Sequence, residues 1–108
     1  MKGSQGDWLI RVFGVAGINP VDNFFDQLLR DDPQALLEFT GFLAPILVAY
    51  GPDAGDPPVE FEPSTQSGWI RWLGDTHSYR IKFSIDEKQR CMLLLDADSS
   101  SYNSREES

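Results

Sequence analysis

The chain has one cysteine, Cys91, and one histidine, His77, among its 108 residues. A single cysteine excludes an intrachain disulfide and a cysteine-based metal site, as in a reducing compartment. One histidine and one cysteine cannot by themselves form a structural zinc site. Basic residues are scarce too: 9 Lys and Arg stand against 17 Asp and Glu, for a net charge of −8. Phosphate binding rests on clustered Lys and Arg, so this balance argues against a general nucleic-acid binder. No apolar run approaches the roughly 18–20 residues of a membrane span. Residues 1–15 lack the basic start and long apolar stretch of a signal peptide. Gly14 and Gly17 form only a GxxG, too short for a phosphate loop. The expectation is a soluble cytoplasmic protein with no resident metal or cofactor and no membrane partner.

What is present suffices for one domain. At 41% hydrophobic and 12% aromatic, the chain can bury a core without staples. Charge is uneven. Residues 1–58 hold Lys2, Arg11 and Arg30 against Asp7, Asp22, Asp26, Asp31, Asp32, Glu38, Asp53 and Asp56. Residues 69–90 hold Arg71, Arg80, Lys82, Lys88 and Arg90 against only Asp75, Asp86 and Glu87. A weakly basic strand region therefore sits inside an acidic protein, a pattern that a solvated sheet face also produces.

Local patterning orders the elements. Residues 8–13 alternate as a strand, with Trp8, Ile10 and Val12 on one face. Asn19-Pro20 opens a helix whose apolar stripe is Val21, Phe24, Phe25, Leu28 and Leu29. Asp32-Pro33 repeats the signal for a second helix carrying Leu36, Leu37, Phe39, Phe42, Leu43, Ile46, Leu47 and Tyr50. The short link predicts an antiparallel hairpin. Pro45 demands a kink, which Gly41 four positions earlier makes tolerable. Residues 51–68 are Gly- and Pro-rich and predict a long loop, in which Val59 and Phe61 either form a short edge strand or tack the loop down. Strands follow over 69–73 and 78–85, the latter with Tyr79, Ile81, Phe83 and Ile85 inward and Ser78, Arg80, Lys82 and Ser84 outward. Residues 91–95 are continuously apolar, which suggests a central strand covered on both faces. After Asp96 the chain turns polar and Ser-rich. The expected architecture is α+β: an N-terminal strand, an antiparallel helix hairpin and a three-stranded antiparallel meander, with the helices on one face of the sheet. One domain spans 1–98, and a disordered acidic tail spans 99–108.

Few side chains suggest chemistry. His77 reads as a turn residue and Cys91 as a buried strand residue without a thiolate-favouring environment. Asp31-Asp32 reads as a helix cap. If the strand over 69–73 is regular, one of Trp69 and Trp72 faces outward, and an exposed Trp beside Arg71 suits stacking on a base or a partner surface.

The order of elements resembles the RelE/ParE superfamily, and within it the phage-derived HigB-like toxins. The resemblance spans roughly residues 8–98 and is carried by "INPVDNFFDQL" after the first strand, by "GWIR" at Gly68 to Arg71, and by "SYRIKFSID" followed by "CMLLLDA". It implies the toxin of a type II toxin–antitoxin system, a ribosome-dependent mRNA endonuclease, with an antitoxin, the ribosome and mRNA as partners. It implies Arg71 as the transition-state arginine, Arg80 as a second catalytic cation, and Tyr102 near the family's C-terminal catalytic tyrosine. Lys82, Trp69 and Trp72 would face the nucleic acid. Cations would hold the scissile phosphate while a general acid or base serves the 2′-OH and the leaving oxygen.

The chain departs from that pattern. Asp96-Ala97-Asp98-Ser99 stands where the family continues into Lys and Arg, and Glu60 and Glu62 replace basic residues before "GWIR". Each exchange trades attraction for a polyanion against repulsion. The alternative is therefore a non-catalytic member of the scaffold, phage or prophage encoded, that binds another protein through its acidic helices or an open sheet edge. What discriminates is whether Arg71, Arg80 and Lys82 converge unpaired on one open surface, or pair with carboxylates.

Overall fold

Two proline-led helix starts and three hydrophobic alternations set most of the fold. In a computed structural model describing residues 7–55 and 58–102, the elements are β1 (Leu9–Val12), α1 (Pro20–Asp31), α2 (Pro33–Glu38), a π-helical stretch (Phe39–Leu43), α3 (Ala44–Tyr50), a 3-10 turn (Gly51–Ala54), β2 (Val59–Glu62), β3 (Ser67–Leu73), β4 (His77–Asp86) and β5 (Cys91–Ser101). The fold is α+β, with one five-stranded mixed sheet in the order β1-β5-β4-β3-β2. β2 to β5 form an antiparallel meander, one strand longer than the sequence suggests, and β1 joins β5 in parallel. A parallel neighbour requires a crossover, and the helices supply it.

The caps behave differently. Asp32 accepts from the Ala35 N–H at 3.2 Å and caps α2, whereas the Asn19 side chain makes no cap bond at α1. Pro45 lacks an N–H, and the helix absorbs this through the π-helical stretch, where the Ala44 N–H reaches back to the Phe39 carbonyl. The wider turn keeps Ala35, Phe39, Leu43 and Leu47, every fourth residue, on the buried face. Leu37 and Phe42, expected to carry the helix, are exposed. Pro33–Ala54 thus forms one helical stretch of 22 residues whose most apolar window of 18 has mean hydropathy 1.4, long and apolar enough by composition to cross a membrane. The sequence, broken by Gly41 and Pro45, suggests no such run. Its buried stripe is part of the sheet's core.

The helices are not a simple antiparallel pair. Their backbones approach chiefly along α2, and α3 lies beside β1, where the Trp8 N–H donates to the Val48 carbonyl at 2.7 Å. The Trp8 ring packs on Gly51, whose φ of +58° and lack of a Cβ permit that approach.

The core lies between the helices and the inner sheet face. Phe24, Phe39, Trp72 and Tyr79 form a ring cluster with centroids 5.1–6.3 Å apart, and Phe83, Ile70, Ile81, Met92 and Leu94 are fully buried beneath it. The Trp72 indole donates to the Ala35 carbonyl at 3.1 Å, so Trp72 is a core residue and does not face a nucleic acid. The outer sheet face carries no covering layer. Leu93 and Leu95 are only half-buried there, which corrects the expectation of a strand covered on both sides. Of the two options for Val59 and Phe61 the edge strand is the one that forms, over Val59–Glu62. One further expectation changes: β5 continues to Ser101, so residues 99–101 belong to the sheet rather than to a disordered tail. The inner residues Tyr79 and Ile81 of β4 find partners past Asp96, in Ser99 and Ala97, which makes the polar end of β5 a paired strand. Residues 103–108 lie outside the described residues.

Candidate functional site

Alternation sends every second residue of β2 to β5 to the uncovered outer face. Register then brings the sequence-predicted side chains together: Arg71 lies opposite Arg80, and Trp69 opposite Lys82. Arg80 in turn faces Asp98, and Lys82 faces Asp96. The Arg80 guanidinium lies 4.2 Å from the centre of the Trp69 ring, with the Lys82 ammonium at 5.6 Å. A shallow depression of about 560 Å³ opens beside them over Arg71, Leu73, Ser78, Arg80, Asp98 and Ser100. Four of the six side chains singled out from the sequence therefore share one face.

Both arginines are already engaged. Arg71 donates to Glu60 Oε1 at 2.6 Å. Arg80 grips Asp98 with two bonds, Nε to Oδ1 at 2.8 Å and a terminal nitrogen to Oδ2 at 3.2 Å. This pairing lets two arginines stand opposite each other on adjacent strands, since each positive charge is cancelled from its far side. The bonds to Asp98 raise the Arg80 pKa above its ordinary value, outweighing the effect of burial. All four side chains are about half exposed, so each pair contributes less than about 1 kcal/mol to stability. A phosphate that reached either guanidinium would have to displace a carboxylate or share the charge with it.

Tyr102 stands elsewhere. Its hydroxyl donates to the Gly74 carbonyl at 2.8 Å and its N–H to the Thr76 carbonyl at 3.0 Å, which commits it to the β3–β4 turn. His77, expected in the turn, is the first residue of β4 beside it, its Nδ1 2.8 Å from the Thr76 hydroxyl and its ring stacked on Tyr79. Among the described residues no three His, Cys, Asp or Glu side chains gather as a metal site, and Cys91 is a buried free thiol.

The chain matches no protein-family model, and no curated protein or solved structure proves similar to it. The site must therefore be judged on its own chemistry. Of the carboxylates that replace expected cations, Glu60 and Asp98 turn out to be the partners of Arg71 and Arg80. Their identity as acids is visible in the sequence. Which arginine each meets depends on strand register, which sequence alone does not supply. The Asp32–Tyr79 bond of 2.7 Å has no local signal at all, because its partners are 47 positions apart.

Proposed function

We propose that this chain is a non-catalytic protein built on a RelE/HigB-like scaffold, cytoplasmic and phage or prophage encoded, that acts by binding another protein. The observation that carries the reading is the pairing of both arginines with carboxylates from neighbouring strands. Stabilising charge that develops on a phosphate needs cations whose charge is available to it. Here Glu60 and Asp98 already occupy those cations, Tyr102 is committed to a turn carbonyl, and the chain as a whole carries a net charge of −8. A partly buried Trp flanked by Arg and Lys is also well suited to a protein surface, since Trp and Arg dominate interface energetics.

The nuclease reading has one observation in its favour, namely that Arg71, Arg80 and Lys82 do share one face. Induction of the wild type and of Arg71→Ala in a bacterial host, with growth and message integrity followed together, separates the two. Protein binding without catalysis leaves growth and message intact in both strains. Growth arrest with cut message in the wild type, abolished by Arg71→Ala, overturns the proposal.

A further inference from the structure

One edge of the sheet is left unfinished. β2, the edge on one side, is only 4 residues long and lies between Pro58 and Pro63, which interrupt a ladder. On the other side β1 covers β5 only from Cys91 to Leu94. Beyond that point β5 runs on, and from Leu95 to Ser100 its β1-side edge has no backbone partner among the described residues.

The ladder shows which groups face that edge. In an antiparallel pair, alternate residues exchange bonds with the partner and those between point away. The Tyr102 N–H bonds to the Thr76 carbonyl, and continuing that register makes Ser100, Asp98 and Asp96 the residues bonded to β4. Ala97 and Ser99 therefore turn their N–H and C=O groups to the open side. The bulge at Leu95, where Lys82 pairs with Asp96 but Phe83 with Leu94, produces this switch by shifting the alternation one residue. The Ala97 N–H is held by the side chain of Asp96 at 2.9 Å, a local stand-in for a strand. The Ala97 carbonyl and both backbone groups of Ser99 have no such stand-in among the described residues.

Charge selects the occupant. Asp96 flanks the edge on the outer face with no ion-pair partner among the described residues, while Asp98 beside it is held by Arg80; on the inner side Ser99 lines a cleft of about 100 Å³ with Leu28, Asp31 and Asp32. A second copy would set the same carboxylates against these and carry −8 of its own. A strand with Lys or Arg at alternate positions meets the unpaired Asp96 outside, while its other residues meet Ala97 and Leu28. We propose that the Leu95–Ser100 edge takes up an extended basic segment of a partner protein as an added strand; the inference rests on the protein-binding reading above and gives that partner its chemistry.

The probe is a short peptide alternating lysine and valine, blocked at both ends and fluorescently labelled, titrated into the full chain and followed by anisotropy and amide hydrogen exchange. The wild type binds it, the Ser99 amide becomes protected, and affinity falls with salt. Ser99→Pro deletes an N–H that β4 does not use, so the fold is kept while affinity drops by about tenfold or more. Asp96→Asn weakens binding less, since it keeps an acceptor for the Ala97 N–H. A peptide N-methylated at its edge-facing amides loses binding to the unaltered protein, which makes the test independent of how Ser99→Pro folds. No binding by the wild type, or equal binding of the methylated peptide, overturns the proposal. RNA cleavage in the growth assay would refute the protein-binding reading without altering these affinities, so the two failures are distinguishable.

Discussion

Replacing Tyr79 with Phe tests how the helices are tied to the sheet. The Tyr79 hydroxyl donates to Asp32 Oδ2 at 2.7 Å, while Asp32 Oδ1 accepts from the Ala35 N–H. One carboxylate thus caps α2 and anchors β4. Tyr79 is 5% exposed, and its ring contacts survive in Phe, so the loss is that of one hydrogen bond to a charged acceptor, about 2 kcal/mol. For a chain of this size that lowers the melting midpoint by roughly 10 °C. Asp32→Ala removes the cap as well and costs about 3 kcal/mol. The double variant should be little worse than Asp32→Ala, leaving a coupling of about 2 kcal/mol.

The same pair has a pH signature. Burial first, then the hydrogen bond and the negative charge of Asp32, push the Tyr79 hydroxyl well above its ordinary pKa of about 10. The folded chain keeps a proton that the unfolded chain releases. The contribution is therefore complete below about pH 10 and is lost as pH rises beyond it, by about 1.4 kcal/mol per pH unit. Phe at position 79 lacks that loss, so the wild type's advantage narrows above pH 10. Urea unfolding followed by circular dichroism between about pH 8 and pH 11 measures both effects. A Phe variant as stable as the wild type, or a gap constant across that range, refutes the reasoning.

Gly68→Ala should cost about 2–3 kcal/mol, because a Cβ there drives into the Glu60 carbonyl and against Phe61 and splits β2 from β3; chemical denaturation measures it. Arg80→Ala, by contrast, should change stability by under about 1 kcal/mol, since its pair with Asp98 is half exposed. A larger loss would mean that stacking on Trp69 contributes more than the ion pair does.

Much of the helical and strand order was legible because its signals are local. Proline at the first helical position, the Asp32 cap and the inward alternation of Tyr79, Ile81 and Phe83 each act within a few residues. The helix after Pro33 was harder. Leu37 and Phe42 are apolar and so read as core, but Leu37 stands about two residues round the helix from the buried Ala35, and the π-helical stretch before Pro45 turns Phe42 outward. The end of β5 was missed for a different reason. "DADSSS" has neither apolar alternation nor β propensity, and it is a strand only because β4 extends alongside it.

The sequence by itself determined the composition of the outer face. Period-2 alternation sends Arg71, Arg80 and Lys82 to one side of their strands, and the acids at 60, 62, 96 and 98 fall at alternate positions of their own strands. Only the tertiary structure decided which charges neutralise which. A pair such as Arg80–Asp98 joins positions 18 residues apart, so it depends on a register that the bulge at Leu95 shifts by one. The same shift determines which backbone groups meet solvent at the open edge. Register is a property of paired strands, and a single residue's slip exchanges the buried and exposed sets, which is why no local reading of the chain could supply it.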